Sequence, residues 1–293
     1  MKKLFILAVA AFCTAAFLGY SYKTPVPEPL TPACYISCFT TEIMDQFKAE
    51  ASTRAFAMLH DNPKDFTLAD AAGKAISFKA ADGSNAMGYE IRSKKKSNKW
   101  LFVIQEWWGL NDYIKKESET FYKDLGEDVN VIALDLYDGK IAATADSAMK
   151  LIQSAKTERL ESIIKGAIAY AGTEAKIYTV GWCFGGMWSL QSSLLAGKQA
   201  AGCVMYYGRP ENNIEKLKTL NCDVIGFFGN KDRSPSPEVV NKFEADMQTA
   251  GKKLTAYKYD AGHGFANPSN PVFNKEAAED AHAKAVAFLK ERL

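Results

Sequence analysis

The stretch IYTVGWCFGGMWSL, Ile177–Leu190, decides the fold. Its first residues are β-branched or aromatic and favour a strand. Gly181, Gly185 and Gly186 crowd the middle, and the apolar residues after them read as a helix. A strand turning sharply into a helix presents the residue at the bend, here Cys183, at the carboxyl edge of a sheet. Its plain reading is a small apolar residue packing a helix on a strand. Its chemical reading is a nucleophile on a strained bend whose neighbours must be small. The positive end of the following helix favours a thiolate there, and its free N–H groups can hold an oxyanion.

Working outward, ISFKAADGSNAMGYEIRS (Ile76–Ser93) reads as a hairpin turning at Asp82-Gly83. Apolar runs recur at Trp100–Ile104, Val129–Tyr137, Lys176–Trp182, Ala201–Gly208, Asp223–Gly229 and Leu254–Gly262, with amphipathic stretches between them. Strands alternating with helices predict an α/β fold: a mainly parallel central sheet with helices on both faces. Thr40 to about His60 has helical spacing, with Ile43, Phe47, Ala51, Ala55 and Met58 on one face, and Asn62-Pro63 ends it. This predicts an N-terminal helical extension packed on the main domain.

With 36 basic against 34 acidic side chains, the chain lacks the concentrated positive charge of a nucleic-acid binder. Residues 1–22, two lysines followed by an apolar run, have the layout of a signal peptide and predict a secreted or periplasmic protein. The membrane enters only if that segment stays uncleaved. Residues 23–70 read as a proline-rich linker plus the N-terminal helix, and 71–293 as one catalytic domain, expected to act as a monomer. Loss of Cys13 with the signal leaves Cys34, Cys38, Cys183, Cys203 and Cys222, an odd number with at least one free thiol. Cys34 and Cys38 are near enough in sequence to pair. A metal site using both is disfavoured, because the chain holds only His60, His263 and His282 and no second cysteine pair.

Four polar residues fall at predicted strand ends: Glu106, Cys183, Asp232 and His263. The chain order Cys…Asp…His is that of an α/β hydrolase triad, and the G-x-C-x-G-G bend is its nucleophile elbow with sulfur in place of oxygen. His263 needs one partner to fix its tautomer and another for proton exchange, roles that Asp232 and Cys183 fill. His60 and His282 sit in helical stretches and read as ordinary structural histidines. A redox role is weaker, since no C-x-x-C accompanies Cys183.

At QEWWGLNDYI, DLY (Asp135–Tyr137), GWCFGG, GNKD and AGHGF the chain resembles the dienelactone hydrolase family, in order and spacing, over roughly Ile76–Leu293. The resemblance implies a single α/β hydrolase domain that cleaves a small-molecule ester or lactone through an acyl-cysteine, with no metal or organic cofactor. It implies Cys183 as nucleophile, His263 as base then acid, Asp232 as its orienter, and Glu106 as the carboxylate that helps to deprotonate the sulfur. Backbone N–H groups of Trp107 and Phe184 would form the oxyanion hole. Trp108, Tyr137, Lys140, Trp188 and Phe265 are the expected pocket residues. Family members acting on dienelactone carry two arginines for its carboxylate; here those places read DGK (Asp138–Lys140) and FANP (Phe265–Pro268). A non-catalytic envelope protein retaining the fold is the alternative.

Overall fold

The structure is a computed structural model that describes residues 32–293, with side chains from residue 42 onward. The expected signal peptide, the linker before Pro32 and the side chains of Cys34 and Cys38 lie outside the described residues. The N-terminal region forms α1 (Pro32–Ala51) and the single turn α2 (Arg54–Ala57). Then come β1 (Lys74–Lys79), β2 (Asn85–Ile91), β3 (Lys99–Ile104), β4 (Asn130–Leu134), β5 (Lys176–Trp182), β6 (Ala200–Tyr206), β7 (Val224–Gly229) and β8 (Leu254–Tyr259). The helices between and after them are α3 (Asp112–Asp124), α4 (Ala145–Ser154), α5 (Thr157–Ala171), α6 (Phe184–Ala196), α7 (Ile214–Lys218), α8 (Pro237–Thr249) and α9 (Lys275–Lys290).

One eight-stranded sheet has the order β1-β2-β4-β3-β5-β6-β7-β8. The β1–β2 and β2–β4 pairs are antiparallel and every other pair is parallel. β4 is buried at every position and β3 at all but its first, as parallel strands covered on both faces must be. The edge strand β8 has only exposed and half-buried positions. Between β3 and β4 the chain runs one way across the sheet, and β5 then returns to the other side of β3. The connections leaving β3 and β5 therefore diverge and open a crevice at their carboxyl ends. Glu106 follows β3 and Cys183 follows β5, so topology alone sets them side by side.

The long amphipathic stretch after β4 is broken at Ala155-Lys156 into α4 and α5. Thr144 caps α4 by accepting from Ser147 N, while Ser147 Oγ accepts from Thr144 N, satisfying donors that a helix start leaves open. α6 packs on β3, β5 and β6 with almost no exposed surface, which explains why its sequence is apolar all round.

α1 lies across this layer, against α4, α5, α6 and α7. Ile43, Phe47 and Ala51 face inward as their spacing predicts, and Met44 is buried beside them. Beyond Ala51 the register changes. Thr53 accepts from Phe56 N and starts a new turn, so Phe56 is buried while Met58 is 74% exposed. The expected inward positions Ala55 and Met58 are thus corrected to Phe56 and His60. Burial of Ile43, Met44, Phe47 and Phe56 contributes roughly 6–12 kcal/mol before ordering costs, enough to hold the extension against the body. Polar ties support it: Arg209 bonds Glu50 and Gln46, Gln153 donates to Lys48 O, and Asn270 donates to Leu59 O. Among the described residues no helix is long and apolar enough to cross a membrane.

Candidate active site

Cys183 occupies the bend with φ 54° and ψ −116°, a left-handed conformation that costs a non-glycine residue on the order of 1–3 kcal/mol. The glycines around it answer to close backbone contact. A Cβ on Gly181 would stand 2.1 Å from Gly185 O, and one on Gly185 would stand 2.3 Å from Ile104 O. The bend is locked by Cys183 N donating to Tyr206 O at 3.0 Å. The Phe184 N–H, first of α6, is directed at the sulfur, and the Trp107 N–H has no hydrogen-bond partner among the described residues.

His263 comes from the loop after β8 and Asp232 from the loop after β7. Asp232 Oδ2 accepts from His263 Nδ1 at 2.8 Å, while its Oδ1 accepts from Ser234 N at 2.8 Å. The carboxylate is therefore fixed on both oxygens and fixes the ring. This leaves His263 Nε2 buried with no partner, within 4.8 Å of the sulfur. Burial pulls the His263 pKa down, but the Asp232 carboxylate and the Cys183 sulfur outweigh it and hold it well above the ordinary value. Burial pushes the Cys183 thiol up, against the pull of His263. One proton lies between the two groups: on sulfur it leaves both neutral, on nitrogen it makes a thiolate–imidazolium pair that the Asp232 carboxylate supports.

Glu106 is held by neutral donors. Its Oε2 accepts from Asn267 Nδ2 at 2.7 Å and its Oε1 from Tyr207 OH at 3.3 Å. Burial lifts its pKa to about 7, only partly offset by His263, Asn267 and Tyr207. The position where the family places an arginine therefore still anchors the glutamate, but without a compensating charge.

The largest departure from the sequence reading is His60, expected to be a structural residue away from the active edge. Its Nε2 lies 3.7 Å from Cys183 Sγ. Its ring packs 4.5 Å from Trp107 and 4.9 Å from His263, between centroids. Nδ1 donates to Phe56 O at 2.9 Å, which leaves Nε2 as an acceptor facing the sulfur. Burial and the nearby His263 charge lower its pKa to about 3, so the ring is neutral. The signal for this placement in the sequence is Thr53, a capping residue that restarts the helix and changes the phase that carried the expected inward face on to Ala55 and Met58. His282 does behave as expected, bonding Asp124 at 2.7 Å on the surface.

The expected pocket residues divide. Trp108 lines a cleft of about 420 Å³, counted with its open mouth, together with Glu106, Tyr113, Glu117, Trp182, Tyr207 and Asn267. Trp182, Tyr207, Asn267 and Glu117 were not picked out as pocket residues; aromatic residues ending a strand look the same in sequence whether they face core or cleft. Tyr137 is buried with its ring 5.5 Å from that of Phe184. Lys140 is exposed and lines a separate cleft with Leu151, Lys156 and Arg159. Trp188 and Phe265 are fully buried core residues, packed on Phe184 and Tyr207 respectively, and line none of these clefts. Cys183 itself is 1% exposed, with the His60 ring beside its sulfur.

The comparisons bear on this geometry. The profile of the dienelactone hydrolase family matches residues 87–293. The chain belongs to that family. As a member it is a hydrolase of ester or lactone bonds. The usf protein of Aquifex pyrophilus is 27% identical over 233 residues, covering 75% of this chain and 99% of that one. A carboxymethylenebutenolidase of Pseudomonas sp. strain P51 is 29% identical over 152 residues, 49% of this chain and 61% of that one. Among solved structures, a dienelactone-hydrolase-like promiscuous phosphotriesterase from metagenomic libraries superposes with TM-score 0.64 at 20% identity, covering 75% of this chain and 99% of that one. At that identity the likeness speaks for the fold. The family match begins after β1, so α1, α2 and His60 lie outside it.

Proposed function

We propose that the protein is an exported cysteine hydrolase of small neutral esters or lactones, working through Cys183, His263 and Asp232. The observation that carries this is the convergence of three separate strand ends on one strained sulfur, with an orphaned imidazole nitrogen beside it. Sγ attacks the carbonyl carbon while its proton passes to His263 Nε2. The carbonyl oxygen becomes an oxyanion received by the N–H groups of Trp107 and Phe184. Collapse breaks the ester C–O bond, and His263 returns the proton to the leaving alkoxide. Water, deprotonated by His263, then cleaves the thioester and restores the thiol. Glu106, half ionised near neutral pH at a pKa of about 7, is a second acceptor for the thiol proton.

The preference for neutral substrates follows from the cleft, whose lining carries Glu106 and Glu117 and no lysine or arginine. An anionic substrate would enter beside acids with no cation to receive it. Export rests on residues 1–22 of the sequence. The direct test is hydrolysis of p-nitrophenyl acetate by the protein and by a Cys183→Ala variant, with mass spectrometry for an acetylated Cys183 peptide. Equal rates would remove the sulfur from the mechanism. The burial of Cys183 favours a second reading, a non-catalytic binding protein. Resistance of Cys183 to iodoacetamide in the presence of ester substrates would support it.

A further inference from the structure

We propose that His60, Cys183 and His263 form a binding site for a thiophilic divalent cation of the zinc class, with two imidazole nitrogens and one thiolate as protein ligands and one position open.

The three donor atoms lie within 4.8 Å of one another, and all three residues are buried. Zinc holds nitrogen at about 2.0–2.1 Å and thiolate at about 2.3 Å, so tetrahedral angles set N···S at roughly 3.6 Å. The His60 Nε2 to Cys183 Sγ distance is 3.7 Å. Both imidazoles are already arranged as metal-binding histidines are, each with its other nitrogen tied down. His60 Nδ1 donates to Phe56 O and His263 Nδ1 to Asp232. Each Nε2 is therefore turned inward by construction.

A second observation is independent of the clustering. His263 Nε2 is buried and partnerless, although the sulfur and a second imidazole stand close to it. One thiol proton cannot serve both imidazole nitrogens at once, whereas one cation can take both nitrogens and the sulfur. The charges also suit it. A thiolate and the Asp232 carboxylate behind His263 balance a dication. On binding, the Cys183 S–H bond breaks, a sulfur–metal bond forms, and the proton leaves to solvent. His263, if protonated, gives up its Nε2 proton likewise. No oxidation state changes.

Occupancy and acyl transfer exclude each other, since the metal takes the lone pair that would attack a carbonyl. The cation would be a reversible block on the thiol. Binding does not depend on the hydrolytic reading, because His60 and the convergence of donors exist whether or not Cys183 attacks esters.

The test uses the full chain, reduced and freed of metal, titrated with cobalt(II) and no substrate. A near-ultraviolet thiolate-to-cobalt band with strong visible bands of a four-coordinate ion is expected. The near-ultraviolet band should disappear in Cys183→Ser, and affinity should fall at least about tenfold in His60→Ala. His282→Ala, altered at an exposed ion pair, should match the unchanged protein. Zinc should slow iodoacetamide alkylation of Cys183, followed by peptide mass, at least about tenfold while leaving Cys222 unaffected, a readout that needs no variant to fold. Bands that survive both Cys183→Ser and His60→Ala would place the metal elsewhere, at Cys34 and Cys38 for example, and overturn the proposal. So would the absence of any band, or of zinc protection, in the unchanged protein.

Discussion

Asn267 supplies a neutral hydrogen bond to Glu106 where the dienelactone hydrolase family has a cation to offer. The consequence is electrostatic. Burial, only partly offset by His263, Asn267 and Tyr207, holds this carboxylate near a pKa of about 7, so its charge changes within the working pH range. Placing a guanidinium there should lower that value by about 1–3 units, the usual effect of an adjacent cation. Asn267→Arg is therefore expected to move the acid limb of the kcat/KM profile to lower pH. It should also raise kcat/KM for esters that carry a carboxylate, relative to neutral ones, by about tenfold or more. Parallel pH profiles on paired neutral and anionic nitrophenyl esters measure both. An unchanged ratio would mean that the cleft beside Glu106 does not receive the acyl group. The sequence showed the missing arginines directly. What it could not show is that Asn267 still reaches Glu106, because that depends on where the loop after β8 returns.

At the scale of elements, the strand-turn-helix at Cys183 and the alternation of strands and helices were legible because each rests on local pattern: period, glycine and chain order. The positions of β5 and of its bend match the reading made from Ile177–Leu190. The N-terminal extension was legible only as a helix. One capped break at Thr53 altered the phase, and with it the identity of the residue over the active sulfur. Two predictions belong here. Gly185→Ala puts a Cβ against Ile104 O and Gln105 O, both backbone atoms that cannot rotate away. It should lower stability by about 1–3 kcal/mol or more, read from urea melts, and reduce hydrolysis by displacing the elbow. Phe56→Ala removes the ring wedged between Phe47, Trp107 and His60. A cost of about 3–5 kcal/mol is expected. Because Phe56 packs on His60, whose ring stands beside the thiol, local opening should speed alkylation of Cys183 by at least about tenfold. Unchanged alkylation with lowered stability would show that the sulfur is reached by another route.

For the whole molecule, His60 and Glu106 set opposing dependences of stability on pH. His60 has its pKa lowered from 6.5 to about 3, so the unfolded chain binds a proton that the folded one refuses. Its contribution is full above pH 6.5 and is lost as pH falls towards 3. Glu106 has its pKa raised from 4.5 to about 7, so the folded chain keeps a proton that the unfolded one releases. That contribution is full below pH 4.5 and is lost as pH rises towards 7. Between pH 4.5 and 6.5 the two slopes, each about 1.4 kcal/mol per pH unit, cancel. Removing either group should expose the other. Glu106→Gln is expected to gain stability relative to the unaltered protein by about 3 kcal/mol on going from pH 4.5 to 7, and His60→Asn to lose it over pH 4.5 to 6.5 by a similar amount. Urea melts at half-unit intervals give both differences, and comparison with the parent cancels the surface carboxylates. Two variants that track the parent across this range would mean that solvent reaches the site freely. That would contradict the burial of Cys183 under the N-terminal extension, on which both the neutral His60 and the half-protonated Glu106 depend.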